Sequence, residues 1–150
     1  MLNLLIFESI TANLKNIKKS PRLLSQKDFR SMKMQGNRMV DALYFDLKQV
    51  KQLNITIGKQ RIGETALDFF SDIIPKIDLV WVIAPEINSE LERFHIASQK
   101  KLWIGSDLQA IRLASNKLET KKYLKSLNIN TPDEITFESL RKKNYTKAVY

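Results

Sequence analysis

Leu2-Asn3-Leu4-Leu5-Ile6-Phe7 opens the chain with a short, almost wholly apolar run that ends in a charge, Glu8. A strand with one wet face would alternate apolar and polar residues. A continuous apolar run instead predicts a strand covered on both faces, as in a parallel sheet flanked by helices. The strongest strand signal has the same character: Asp78-Leu79-Val80-Trp81-Val82-Ile83-Ala84, closed by Pro85-Glu86. Leu53-Asn54-Ile55-Thr56-Ile57 alternates and is β-branched, and it stops at Gly58; Lys101-Leu102-Trp103-Ile104 stops at Gly105.

Helical patterns fall between these runs. Residues 9–35 are polar, basic and poorly periodic, so a long loop with at most one helical turn is expected there. Gly36 then precedes a helix marked by Met39, Leu43, Leu47 and Val50 at intervals of three or four. Thr65–Ile74 predicts a short helix before Pro75. Ser89 with Glu92 reads as a capping box opening a helix to about Gln99, and Ser106 with Gln109 opens another over Asp107–Leu113. Strands and helices therefore alternate, which predicts an α/β fold: a small doubly wound parallel sheet of about four strands with helices on both faces. Beyond Ser115 the character changes to a charged amphipathic helix from Asn116 to near Asn128. A turn at Ile129–Pro132, a strand at Glu134–Phe137 and a short helix at Ser139–Lys143 are expected to follow. The domain boundary is placed near 113–115, giving units 1–113 and 114–150.

Composition narrows the chemistry. The 150 residues include no Cys and one His, so thiolate or multi-His metal sites and a Ser-His-Asp triad are not expected within them. The lack of Cys suits the cytoplasm. No apolar run approaches the roughly 20 residues of a membrane span, and the start lacks the basic lead and cleavage site of a signal peptide. The net charge of +9 comes from the ends: residues 13–33 hold seven basic and one acidic residue, and residues 115–150 hold eight and four. Residues 34–114 balance ten against ten. Scattered lysines without interleaved aromatics argue against a dedicated nucleic-acid binder.

In an open parallel sheet, ligands bind beyond the carboxyl ends of the strands. Glu8-Ser9, Gly58, Ala84-Pro85-Glu86 and Gly105-Ser106 are predicted there. Glu8 and Glu86 would share that rim, either to bind a substrate ammonium or as solvated strand-end residues. No phosphate loop is present, and Glu8-Ser9-Ile10-Thr11-Ala12 contains no glycine to bring the backbone up to a pyrophosphate. Gly36 is expected either to let the helix N-terminus approach a ligand or to ease a turn. Lys117 stands at the start of a helix, where a cation opposes the macrodipole. Trp81 and Trp103 read as core, and His95 as a packed or surface residue.

Four stretches in order resemble the amino-terminal part of ATP-grasp carboxylate–amine ligases, nearest to the tyramine–glutamate ligase group linked to methanofuran synthesis. They are Leu4-Leu5-Ile6-Phe7-Glu8, Gln35-Gly36-Asn37-Arg38-Met39, Val82-Ile83-Ala84-Pro85-Glu86, and Asn116-Lys117 through Leu124 to Ile129-Asn130-Thr131-Pro132. Gln35 and Asn116 stand where the group usually has Glu and Asp. The resemblance implies a Rossmann-like pre-ATP-grasp domain over 1–113, then the opening helix and strand of an ATP-grasp domain. It implies ATP and Mg²⁺ as cofactors, an amino acid and an amine as substrates, and an acyl phosphate between them. Lys117 would contact nucleotide phosphate, while Glu8 and Glu86 would border the acceptor site. The Mg²⁺ ligands would lie beyond Tyr150, in a C-terminal region or partner chain, so these 150 residues alone would not ligate. Two other classes stay open at this point: a non-catalytic Rossmann-like scaffold domain and a basic nucleic-acid-associated domain.

Overall fold

A computed structural model describes residues 1–12, 26–85, 88–98 and 101–132. The expected strand at 134–137 and helix at 139–143, together with Glu86 and Gln99, lie outside the described residues. The chain divides into two compact units between Ser115 and Asn116.

The first unit is α/β, built on four parallel strands. They are β1 (Leu2–Glu8), β2 (Leu53–Ile57), β3 (Leu79–Ile83) and β4 (Leu102–Trp103), in the order β2-β1-β3-β4. The almost wholly apolar first strand is therefore central. Leu4 pairs with Ile55 on one side and Leu79 on the other, and Leu4, Leu5, Ile6 and Phe7 are all buried. Strand alternation sends Leu4 and Ile6 to one face and Leu5 and Phe7 to the other, each with its own core.

Helix α1 (Ser9–Ala12) is a single turn, and α2 (Gln26–Leu47) carries the chain back to β2 over the Leu4–Ile6 face. Helices α3 (Ala66–Ile73) and α4 (Glu90–Ala97) cover the opposite face. There Phe7 meets Phe69, Phe70 and Phe94 at ring-centroid distances of 6.0, 5.4 and 5.0 Å. Such offset and edge contacts add to the area the rings bury. Gly58, just after β2, makes room for this cluster: a Cβ there would lie 2.5 Å from Phe7 Cδ2.

Several local expectations change. Helix α2 begins ten residues ahead of Gly36 rather than after it, because Lys27–Gln35 holds no helix breaker and needs no apolar stripe where it is half-exposed or exposed. Its inward stripe is Gly36, Val40, Leu43 and Leu47; Met39 is half-exposed and Val50 lies past the helix end. The capping box at Ser89 does not form. Ser89 adopts a left-handed backbone (φ 54°) with no side-chain cap, and Glu92 pairs with Arg112 at 2.6 Å instead. By contrast, Thr65 and Asp68 make a reciprocal capping box on α3. Helix α5 (Leu108–Ser115) is opened by Asp107, whose Oδ1 accepts from Ala110 N at 2.8 Å, not by Ser106. Trp81 and Trp103 are half-buried rather than fully internal, Trp103 stacking at an angle on His95 with centroids 4.8 Å apart.

In the second unit, helix α6 (Lys117–Ser126) is capped by Asn116, whose side chain accepts from Leu118 N and Glu119 N. Asn is as good an N-cap as Asp, so the exchange leaves the helix start intact. Among the described residues no helix is long and apolar enough to cross a membrane.

Candidate functional site

The chain leaves β1 toward α2 on one face and leaves β3 toward α4 on the other. Where successive connections diverge in this way, a crevice opens beyond the strand ends, the usual ligand position in open α/β sheets. Glu8 and Ile83 are register partners at that divergence.

Alternation puts Glu8 on the same face as Leu4 and Ile6, under α2. Its side chain is buried, with the residue 4% exposed. The carboxylate turns back over α1: Oε1 accepts from Ile10 N at 3.3 Å and Oε2 from Thr11 N at 2.6 Å. Above it lies Gly36, in the middle of α2. A Cβ at Gly36 would stand 2.5 Å from Glu8 Oε2 and 3.0 Å from Thr11 Cγ2. Glycine inside a helix costs about 1 kcal/mol relative to alanine. Here the missing Cβ is the space the carboxylate occupies. Gly36 thus serves close approach, but to a side chain of β1 and from a helix interior, not from a helix start.

Beside this contact is a pocket of about 210 Å³ lined by Glu8, Ile10, Met32, Met39, Ile83 and Pro85 among others. Glu8 is the one ionisable side chain among the described residues that line it. A second, smaller pocket of about 170 Å³ lies between α3 and α4, against Thr65, Leu67, Glu90 and Arg93.

Ser9 points to the other face of β1 and is also buried. Its hydroxyl faces the Glu90 carboxyl but completes no hydrogen bond of normal geometry. Burial pushes the Glu90 carboxyl above its ordinary value; the Ser9 hydroxyl and Arg93 pull it back, and the Glu8 charge pushes it up again. The folded state therefore holds a proton on Glu90 more tightly than the unfolded chain does. Stability linked to this group is present at low pH and falls as pH rises from the unfolded value toward the raised folded one. Glu90→Gln is accordingly expected to raise Tm at pH 7 and to leave it unchanged below about pH 4. A thermal melt series across that range checks this, and equal melting shifts at both ends would remove the buried-charge cost.

The candidates from sequence separate as follows. Glu8 is at the switch point. Glu86 lies outside the described residues. Lys117 belongs to the second unit, exposed at the first turn of α6. Glu90 was missed, because the Ser89 capping reading made it an ordinary first-turn acid. The usable signal was its place at the start of the helix that follows β3. Among the described residues no three Asp, Glu or His side chains gather to hold a metal ion.

No curated protein and no solved structure matches the chain. Residues 49–111, from just ahead of β2 into α5, match the family model of the pre ATP-grasp 3 domain, so this four-stranded parallel unit is similar to the domain that precedes the nucleotide-binding fold in ATP-grasp enzymes.

Proposed function

We propose that the chain is the N-terminal portion of an ATP-dependent ligase that joins a carboxylate to an amine through an acyl phosphate. The observation that carries this reading is the match of residues 49–111 to the pre ATP-grasp 3 domain. The buried carboxylate of Glu8 at the switch point of the same sheet supports it. Glutamate and tyramine, or a similar amine, are the substrates we assign, following the resemblance of the four sequence stretches.

In this scheme the acid's carboxylate attacks the γ-phosphorus of ATP and ADP leaves. The amine, having lost a proton, then attacks the acyl carbon and phosphate departs, leaving an amide. ATP supplies the activation; Mg²⁺ and cationic side chains offset the charge on the phosphoryl group. Glu8, with Glu86, borders the acceptor site and binds a substrate ammonium. Lys117, exposed at the start of a helix already capped by Asn116, is free of any capping duty and contacts nucleotide phosphate. The remaining ATP-grasp parts are expected from a C-terminal region or a partner chain.

An isotope test decides the reaction class. The protein carrying this chain, given ATP, Mg²⁺, an amine and an acid with ¹⁸O in its carboxylate, should release phosphate bearing one ¹⁸O per amide formed. Unlabelled phosphate would exclude the acyl phosphate. In the same assay Lys117→Ala is expected to raise the KM for ATP about tenfold, the loss of one charged phosphate contact, with a smaller effect on kcat. Unchanged nucleotide kinetics would take Lys117 out of the site.

A further inference from the structure

We propose that the outward face of α2 is a self-pairing surface, on which a second copy of this chain docks with its own α2 antiparallel across a two-fold axis. The proposal stands on the helix alone and is independent of the ligase reading.

It starts from an asymmetry of the fold. Among the described residues, the core on the Leu4–Ile6 side of the sheet draws its helical members from α2, through Val40, Leu43 and Leu47, whereas α3 and α4 share the other side. A lone helix held on one side by that stripe presents the opposite stripe as a ridge. On the ridge stand Met34, Arg38, Asp41, Phe45 and, in the turn that closes the helix, Lys48. All five are exposed, Met34 to 51% and Phe45 to 59%. Their steps alternate between four and three residues, which keeps them in one line and is the spacing by which paired helices mesh their side chains. A thioether and a phenyl ring side by side in water are apolar area that a partner recovers.

The order of residues along the ridge names the partner. It runs apolar, cation, anion, apolar, so an antiparallel copy meets it in complement. Arg38 falls opposite Asp41 of the second copy, and Asp41 opposite its Arg38, once on each side of the axis. Met34 falls opposite Phe45 of the second copy, where thioether sulfur and ring attract. Lys48, its Nζ 4.4 Å from the Phe45 ring centroid, falls opposite Ser31. Among the described residues neither Arg38 nor Asp41 has an ion-pair partner in its own chain. The flanking positions, Gln35 and Ala42 on one side and Asn37 and Tyr44 on the other, carry no charge to oppose the approach.

Other arrangements fail on charge. A parallel pair in register sets Arg38 against Arg38 and Asp41 against Asp41. An antiparallel pair slid by one heptad sets Arg38 against Lys48. Complementarity of this kind fixes register and partner more than it adds affinity. Because each copy uses the same patch, the contact closes on itself and assembly stops at a dimer. The seam from Met34 to Lys48 is about 21 Å long at 1.5 Å per residue. That is small for a specific interface, so the dissociation constant is expected to be on the order of 10–100 µM.

Sedimentation equilibrium of the 150-residue chain, from about 2 µM to about 500 µM, tests this. The wild type should pass from monomer to dimer across the range. Arg38→Asp and Asp41→Arg, each alone, should weaken pairing at least tenfold, because each opposes like charges. An equimolar mixture of the two variants should restore it, since every facing pair is then opposite in sign. Orientation is read separately. The chain has no Cys, so Met34→Cys mixed with Phe45→Cys should oxidise to a cross-linked pair. Met34→Cys alone should not, its two thiols being about 16 Å apart along the seam. At about 2 µM the chain is monomeric, and these ridge substitutions should leave Tm unchanged. A folded chain that stays monomeric throughout, reversals that leave the dimer intact, a mixture that fails to restore it, or Met34→Cys linking to itself would each overturn the proposal. So would a fall of more than about 5 °C in the monomer's Tm with Arg38→Asp, which would assign the ridge to a segment of its own chain.

Discussion

Phe7→Ala is expected to destabilise the first unit by about 3–5 kcal/mol, the range for an aromatic removed from a close-packed core. Phe7 is fully buried on the central strand and touches three other rings, so its removal leaves a void walled by Phe69, Phe70 and Phe94. Those rings stand on α3 and α4, which cannot move inward together, because both helices rest on the same sheet face. Gly58, already in contact range of Phe7, offers no side chain to fill the gap. Urea denaturation of the wild type and variant checks the figure. Met34→Ala, half-exposed on α2, serves as the control and should stay within about 0.5 kcal/mol. A Phe7→Ala loss below 1 kcal/mol would mean the aromatic cluster is not the packing centre described.

The second large effect is a coupling. Gly36→Ala gains about 1 kcal/mol of helix propensity but drives a methyl group into the Glu8 carboxylate at 2.5 Å. The carboxylate must then leave its place and lose the 2.6 Å bond from Thr11 N. A hydrogen bond to a charged group contributes about 1.5–3 kcal/mol, so the single variant should be destabilised by about 0.5–2 kcal/mol once the gain in propensity is subtracted. In a Glu8→Ala background the clash is gone and the same substitution should be neutral or stabilising. A coupling of about 2 kcal/mol is therefore expected in a double-mutant cycle. Additivity within about 0.5 kcal/mol would show that Glu8 and Gly36 do not share one space.

Much of the sheet was legible because its strands are unusually apolar. Leu53–Ile57 is found residue for residue, β3 lies within its predicted run, and β1 runs one residue past its own, to Glu8. A central parallel strand must be apolar on both faces, and few other environments ask for that. The first half of α2 was illegible for the opposite reason: residues 27–35 lie partly or fully in solvent, so no stripe was written into them. Gly36 was placed before a helix because glycine in a helix interior is unfavourable; its justification lies 28 positions away, in Glu8, and no local window contains both. Ser89 failed as a cap through backbone conformation alone, since Ser89 and Asn88 both take positive φ. At the site, Glu8 could be read from its position at a strand end. Glu90 offered only its place at the start of the helix after β3; its enclosure by Ser9 and Arg93 is written in no motif.

The position of β1 has a consequence for biosynthesis. The strand made first is the one that ends in the middle of the sheet, and its two neighbours start about fifty and seventy-five residues later in the chain. Ribosomes add about 5–20 residues per second, so Leu4–Phe7 emerges several seconds before either flank exists to shield it. During that interval it is the chain's most adhesive segment, and the nascent polypeptide is expected to depend on a holding factor, or on the early α2 helix folding over it, to stay out of off-pathway clusters.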